Sequence, residues 1–260
     1  MIFIKTDEEL RQMKDSNMLV SKTLAEVAKN IRAGVTTNEL DRIAEEFIRD
    51  HHGEPAFLGY NGFPKTLCTS VNSEVVHGIP SNYALRDGDI ISVDCGVKLK
   101  GFYGDSAYTF EVGLVAEHVR ALLKTTRESL FKGIEKTIEG KRLGDISHAI
   151  QHHAEKAGYT VVREMVGHGL GKNLHEEPEV PNYGKRGTGI KLKYGIVLCL
   201  EPMVNLGSRF IQQDEDGWTI RTRDNQPSAH FELAVAVGKE EPIVLSTFEY
   251  IDEVVQKNLL

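Results

Sequence analysis

The sequence predicts an α+β protein made from one unit used twice, and three observations predict it. First, two amphipathic helical stretches followed by β-rich segments occupy the chain as far as Gly113, and the same order then starts again. Second, short runs echo across the halves: VVHGIP at 75–80 answers VGHGLG at 166–171, and LRDGDIISVD at 85–94 answers LKYGIVLCLE at 192–201. Third, both longer runs place an acid six residues after a glycine, Asp94 after Gly88 and Glu201 after Gly195. A period of about half the chain argues against a solenoid, whose repeats run to roughly 20–50 residues, and for a duplicated domain.

The elements follow in order. Thr6 and Glu9 form a capping box ahead of Leu10, Met13, Val20, Leu24, Val27 and Ile31, which predicts a helix over 6–31. Thr36 and Glu39 form a second box; Leu40, Ile43, Ala44, Phe47 and Ile48 build one apolar face, and Gly53 stops that helix. Strands and loops follow from Ala56 to Pro80. Residues 90–110 then read as a hairpin, two β-branched and aromatic runs around the turn formers Lys98 to Gly101. After Gly113, Val115, Val119, Leu122, Leu123, Leu130 and Ile134 mark a long helix, and Leu143, Ile146, Ala149, Ile150 and Ala154 a shorter one ending at Gly158. Strands return, among them the alternating run AHFELAVAV; KNLHEEPEVPNYGKRGTG at 172–189 reads as a loop. No Ser- or Pro-rich spacer divides the chain, so a single domain over 1–260 is expected, with halves of roughly 1–113 and 114–260.

With 31 basic and 38 acidic residues, net charge −7, nothing points to nucleic acid or an anionic membrane as the main partner. The N-terminus lacks the basic and apolar regions of a signal peptide, and no apolar run approaches the roughly 20 residues that cross a bilayer. Three scattered cysteines, Cys68, Cys95 and Cys199, fit a reducing cytoplasm. Cys95 adjoins Asp94, but successive strand residues face opposite ways, which assigns Cys95 to the core.

Asp94 and Asp105 fall one on each strand of the hairpin, among apolar residues and without a cationic neighbour in sequence. A lone strand aspartate is more often a satisfied hydrogen-bond acceptor. The second half changes that balance: Glu201 matches Asp94, Glu232 matches Asp105, and a pseudo-two-fold axis between two such units would gather all four, with His168 from the second glycine-rich segment. Four carboxylates at about 4 Å repel by on the order of 4 kcal/mol per pair at an effective dielectric near 20. Two divalent cations would neutralise them, and oxygen-rich ligation with one imidazole suits manganese, iron(II), cobalt or zinc.

The order Asp94, Asp105, His168, Glu201, Glu232, within DCGVKLKGFYGDSA, GHGLGKNLHEEP, EPMV and HFE, resembles the methionine aminopeptidase family in its short type I form, over essentially the whole chain. The resemblance implies the duplicated pita-bread fold, with pseudo-two-fold symmetry and antiparallel sheets covered by helices. It implies that the five residues bind two divalent ions (Co2+, Mn2+, Fe2+ or Zn2+), Asp94 and Glu232 as bidentate or bridging groups. It also implies that a metal-bridging hydroxide attacks the carbonyl of an N-terminal methionine, with Glu201 shuttling the proton. His77 and His175 match the family's two histidines that contact the scissile amide; Tyr60, Phe63, Cys68 and Trp218 match its methionine pocket, with Phe57 and Leu174 nearby. Asn72, Glu74 and Ser228 resemble an auxiliary monovalent-cation site. Implied partners are N-terminal methionyl peptides and nascent chains, with a transient ribosome contact, for a cytoplasmic monomer.

Asn61, Leu174, His230 and Leu233 stand where the family commonly has His, an aromatic, Gln and often His; none is one of the five ligands, but the pocket's width and the outer hydrogen bonds depend on them. His51, His52, His118, His148, His152 and His153 are expected in helices as surface or packing residues. Two other readings compete. A pita-bread hydrolase cleaving before proline would usually carry an extra N-terminal domain, and a non-catalytic binding protein of the same fold would have lost ligands.

Overall fold

The computed structural model describes residues 1–258. Helix α1 (Asp7–Ala28) opens with the expected reciprocal box: the Glu9 amide donates to Thr6 Oγ1, and the Thr6 amide to Glu9 Oε2 at 3.0 Å. It ends at Ala28, short of Ile31, because the chain unwinds toward Gly34, whose amide donates to the Leu85 carbonyl at 2.8 Å. Helix α2 (Thr37–Asp50) is capped by Thr36, but only half of the second box forms: the Glu39 amide donates to Thr36 Oγ1, and the Glu39 carboxylate does not return to the Thr36 amide. His51 and His52 lie beyond the helix end rather than in it, with His52 in the left-handed region at φ 60°.

Short β1 (Glu54–Pro55), a 3-10 turn (Tyr60–Gly62), β2 (Leu67–Val71) and β3 (Glu74–Val76) lead to the predicted hairpin, β4 (Ile90–Leu99) and β5 (Phe102–Glu111). Its turn is the two residues Lys100 and Gly101, both at positive φ (53° and 83°), a geometry whose twist matches that of the flanking strands. β5 pairs along one edge of β4, and β2 and β1 share the other. α1 packs on β4 and β5, and its buried Ser16, Ser21 and Thr23 hydroxyls are satisfied by carbonyls three or four residues back.

The second half repeats the plan with α3 (Glu117–Ile134), α4 (Leu143–Lys156), β6 (Thr160–Val161), β7 (Gly167–Gly169), β8 (Glu176–Val180) and β9 (Val197–Leu200). The duplication extends to individual hydrogen bonds. Gly140 donates to the Leu192 carbonyl as Gly34 does to Leu85, and Arg142 bridges Lys191 as Thr36 bridges Ala84. Gly88 (φ 92°) and Gly195 (φ 83°), the paired glycines of the sequence echo, both take the left-handed turn that feeds β4 and β9.

β8 overturns the loop expected at 172–189: it pairs with β7, with Gly167 opposite Val180 and Gly169 opposite Glu176. Its charges and Pro178 masked it, and both are tolerated because β8 is the edge of its sheet. The chain closes through β10 (Met203–Asn205), β11 (Ile211–Gln213), β12 (Ile220–Thr222), β13 (Ser228–His230), β14 (Leu233–Ala236), β15 (Ile243–Val244) and α5 (Glu249–Asn258). AHFELAVAV is therefore two strands, not one. Facing it, Pro202 has no amide to offer and separates β9 from β10, so the pairing changes partner at Phe231–Glu232.

The halves are joined at that break. The Glu232 amide donates to the Ala107 carbonyl at 2.9 Å, Ser106 Oγ donates to the Glu232 carbonyl, and the His230 amide donates to Thr109 Oγ1. One apolar core draws on both halves, from Leu24, Ile48 and Ile91 to Leu130, Ile150 and Leu198. Among the described residues, no helix is long and apolar enough to cross a membrane.

Candidate metal centre

Strand register brings the acids together. Asp94 lies opposite Ala107 on β5, so Asp105, two residues away, points from the same face as its diagonal neighbour. Cys68 on β2 is the other direct partner of Asp94, which sets one wall of the pocket beside one acid. Gly96 leaves this face bare: a Cβ there would lie 2.5 Å from the Phe57 ring, which packs over the strand instead.

From the second half, His168 on β7 pairs with Cys199 on β9, and Glu201 follows two residues later, on the same face. Glu232 sits at the strand break. His168 Nε2 is 3.7 Å from both Asp105 Oδ2 and Glu201 Oε1, and Glu201 Oε2 is 3.6 Å from His230 Nε2. Donor atoms of Asp105, His168, Cys199 and Glu232 all lie within 4.8 Å of one another. The five predicted residues thus converge from both halves, as their sequence echoes imply.

The electrostatics are those of a site built for cations. Burial pushes the carboxyl groups of Asp105, Glu201 and Glu232 well above the ordinary range, and the neighbouring acids push the same way. Burial raises Asp94 to about 7. Burial lowers His168 to about 3, so its ring is neutral; Nδ1–H donates to the Gly169 carbonyl at 2.9 Å and leaves the Nε2 lone pair facing the acids. Asp94 Oδ1, Asp105 Oδ1 and Glu232 Oε1 are buried with no hydrogen-bond partner among the described residues. Buried acceptors without donors, at the meeting point of like charges, fit divalent cations.

The histidines and aromatic residues surround this centre. His175 lies against His168, ring centroids 4.2 Å apart, and its Nδ1 is 2.7 Å from the Tyr60 hydroxyl. His77, at φ 61°, is lowered to about 4 by burial, with the His175 ring acting in the same direction. Phe57, Phe63, Cys68 and Leu174 belong to one buried apolar cluster, against which Tyr60 and Trp218 pack; Trp218 meets Phe63 edge-on at 5.1 Å. The expected pocket residues are therefore contiguous, and Ile79 and Tyr103 border the same cluster without having been singled out.

Sequence reasoning also missed Cys199, although its even spacing from Glu201 placed both on one strand face. His230, expected only as a departure from the family pattern, has a buried Nε2 without a hydrogen-bond partner among the described residues. In the expected auxiliary site, the Asn72 carbonyl accepts from the Ser228 amide, and Glu74 is engaged by the Val71 amide and Arg221.

Comparisons with known proteins show the family. The family model of metallopeptidase family M24 matches residues 11–239. A methionine aminopeptidase of Clostridium acetobutylicum is 49% identical over 250 residues, 96% of this chain and 100% of that protein. Methionine aminopeptidase 1 of Bacillus subtilis is 49% identical over 237 residues, 91% and 96% of the two chains. The crystal structure of methionine aminopeptidase from Rickettsia prowazekii superposes with a TM-score of 0.94 at 41% identity, covering 95% of this chain and all of that one.

Proposed function

Since the chain belongs to metallopeptidase family M24, and within it to the methionine aminopeptidases, with the pita-bread fold, we propose that its converging acids hold the ions that serve removal of an N-terminal methionine. The residues we assign as ligands are Asp94, Asp105, His168, Glu201 and Glu232. Two divalent ions balance the four carboxylates; Co2+, Mn2+, Fe2+ and Zn2+ all suit this set. When bound, such ions supply Lewis acidity toward a carbonyl and bring the pKa of water toward neutrality.

The chain's own groups do the rest. Glu201, facing both His168 and His230, holds the proton taken from the water and returns it to the leaving amine. His175, which lies against the His168 ring, and His77 donate hydrogen bonds to the scissile amide as charge develops on its oxygen. The cluster of Phe57, Tyr60, Phe63, Cys68, Leu174 and Trp218 takes the methionine side chain, for which an apolar wall with a thiol and aromatic edges is well suited. Asn72, Glu74 and Ser228 border an auxiliary monovalent cation. Methionyl peptides and nascent chains are the substrates of this reading.

The observation that carries it is the set of buried carboxylate oxygens of Asp94, Asp105 and Glu232, unpartnered among the described residues and brought together from both halves beside that apolar cluster. A peptide panel on metal-reconstituted protein tests it. Met-Ala-Ser is expected to be cut and Ala-Pro-Xaa left intact; the reverse pattern would transfer the assignment to the hydrolases that cleave before proline.

A further inference from the structure

Cys199 is fully buried, yet it is not simply a core residue. It is the register partner of His168 and of Ala234, so its thiol projects from the face that carries His168 and Glu201. Its sulfur lies within 4.8 Å of a Glu232 carboxylate oxygen. That sulfur, one Asp105 oxygen, one His168 nitrogen and one Glu232 oxygen lie within 4.8 Å of one another, while Asp105 Oδ1 and Glu232 Oε1 have no hydrogen-bond partner among the described residues. Glu201 is not in that group of four.

We propose that Cys199 is itself a metal ligand, completing with Asp105, His168 and Glu232 a four-donor site for one thiophilic divalent ion such as Zn2+, Cd2+ or Co2+. Sulfur, nitrogen and two oxygens in a four-coordinate set suit these ions, whereas Mn2+ favours oxygen and gains little from sulfur. Coordination takes the thiolate: the S–H bond breaks, sulfur keeps the pair and donates it to the ion, and the proton leaves to solvent. The consequence is a choice of metal built into this chain, with thiophilic ions held through Cys199 and manganese held by the carboxylates and imidazole alone. The inference rests on the reading of these acids as ligands.

The test is a Co2+ titration of the full-length, chelator-stripped protein under reducing conditions, followed by absorption. The wild type is expected to show visible ligand-field bands together with a near-ultraviolet sulfur-to-cobalt charge-transfer band. C199S keeps the visible bands and loses the near-ultraviolet one. C68S, a control for the other thiol at the site, keeps both. Cadmium affinity falls about tenfold or more in C199S, the scale of removing an interaction that supports a metal site, while manganese affinity changes less than about twofold. C199T, β-branched and suited to a strand, repeats the measurement if the serine variant folds poorly. Visible bands without the charge-transfer band in the wild type, or a charge-transfer band that survives in C199S, overturns the role of Cys199 and leaves the carboxylate site standing. Absence of any cobalt band in the wild type overturns the metal reading beneath it as well.

Discussion

His175 and Glu232 sit within one small site yet are expected to fail in different ways when changed. Glu232 is 2% exposed, with one oxygen unpartnered among the described residues, so Glu232→Gln removes a proposed ligand and should lower metal affinity by at least about 10²-fold, read by metal analysis after dialysis. His175 touches the His168 ring and the Tyr60 hydroxyl but none of the carboxylates by hydrogen bond. His175→Ala should therefore retain its metal while turnover falls about 10²-fold or more, the scale of losing one donor to a developing oxyanion. Loss of metal in that variant would show that His175 belongs to the ligand set. His77 offers a test through stability. Its folded pKa of about 4 lies below the ordinary 6.5, so the unfolded chain binds the extra proton between those values. Its stabilising contribution is complete above pH 6.5 and is lost as the pH falls toward 4, to a total of about 3 kcal/mol. In metal-free protein, His77→Asn, which tolerates the left-handed backbone at this position, should flatten the fall in urea stability over that range; an unchanged slope would mean His77 is solvated.

At the scale of elements, the capping boxes separate local from tertiary control. Thr6 and Glu9 satisfy each other at the start of α1, so Thr6→Ala should cost about 1 kcal/mol by denaturant unfolding. The same pattern at Thr36 and Glu39 forms only halfway, with the Glu39 amide bonded to Thr36 Oγ1 but no return bond from the Thr36 amide. Local sequence announces a cap but does not guarantee that both halves of it form. The β8 edge and the break at Phe231–Glu232 teach the same lesson in strands. Pro178 reads as a loop former but is acceptable on an edge, while AHFELAVAV reads as one strand but faces Pro202, which interrupts the opposite ladder. That interruption frees the Glu232 amide to bond across to β5 and turns the segment into the joint between the halves.

For the whole molecule, the decisive feature is that a repelling cluster is assembled from both halves. Asp94 and Asp105 come from the first, and His168, Glu201 and Glu232 from the second, so a cation that neutralises the cluster also fastens one half to the other. Divalent metal at 100-fold excess over its dissociation constant should stabilise the folded protein by about 2.7 kcal/mol, and chelation should remove that gain in a single shift of the unfolding transition. A melting temperature indifferent to manganese, cobalt and zinc alike would contradict cation binding at this joint. Under the single-domain reading, metal-free protein should still unfold in one transition, since Leu24 and Ile91 share their core with Ile150 and Leu198.

The helices, the hairpin at 90–110 and the five converging residues were legible in the chain itself. Helical and strand periods are local, and a duplicated sequence must place its echoed residues at equivalent points of a duplicated fold. The tertiary structure alone decided which strand ends at an edge, where pairing changes partner and which neutral residue shares the face of the acids. Cys199 illustrates the difference. Its even spacing puts it on the strand face of Glu201, but only the register that sets it opposite His168 brings its sulfur within 4.8 Å of donor atoms of Asp105, His168 and Glu232, because pairing across a sheet joins residues that no local pattern connects.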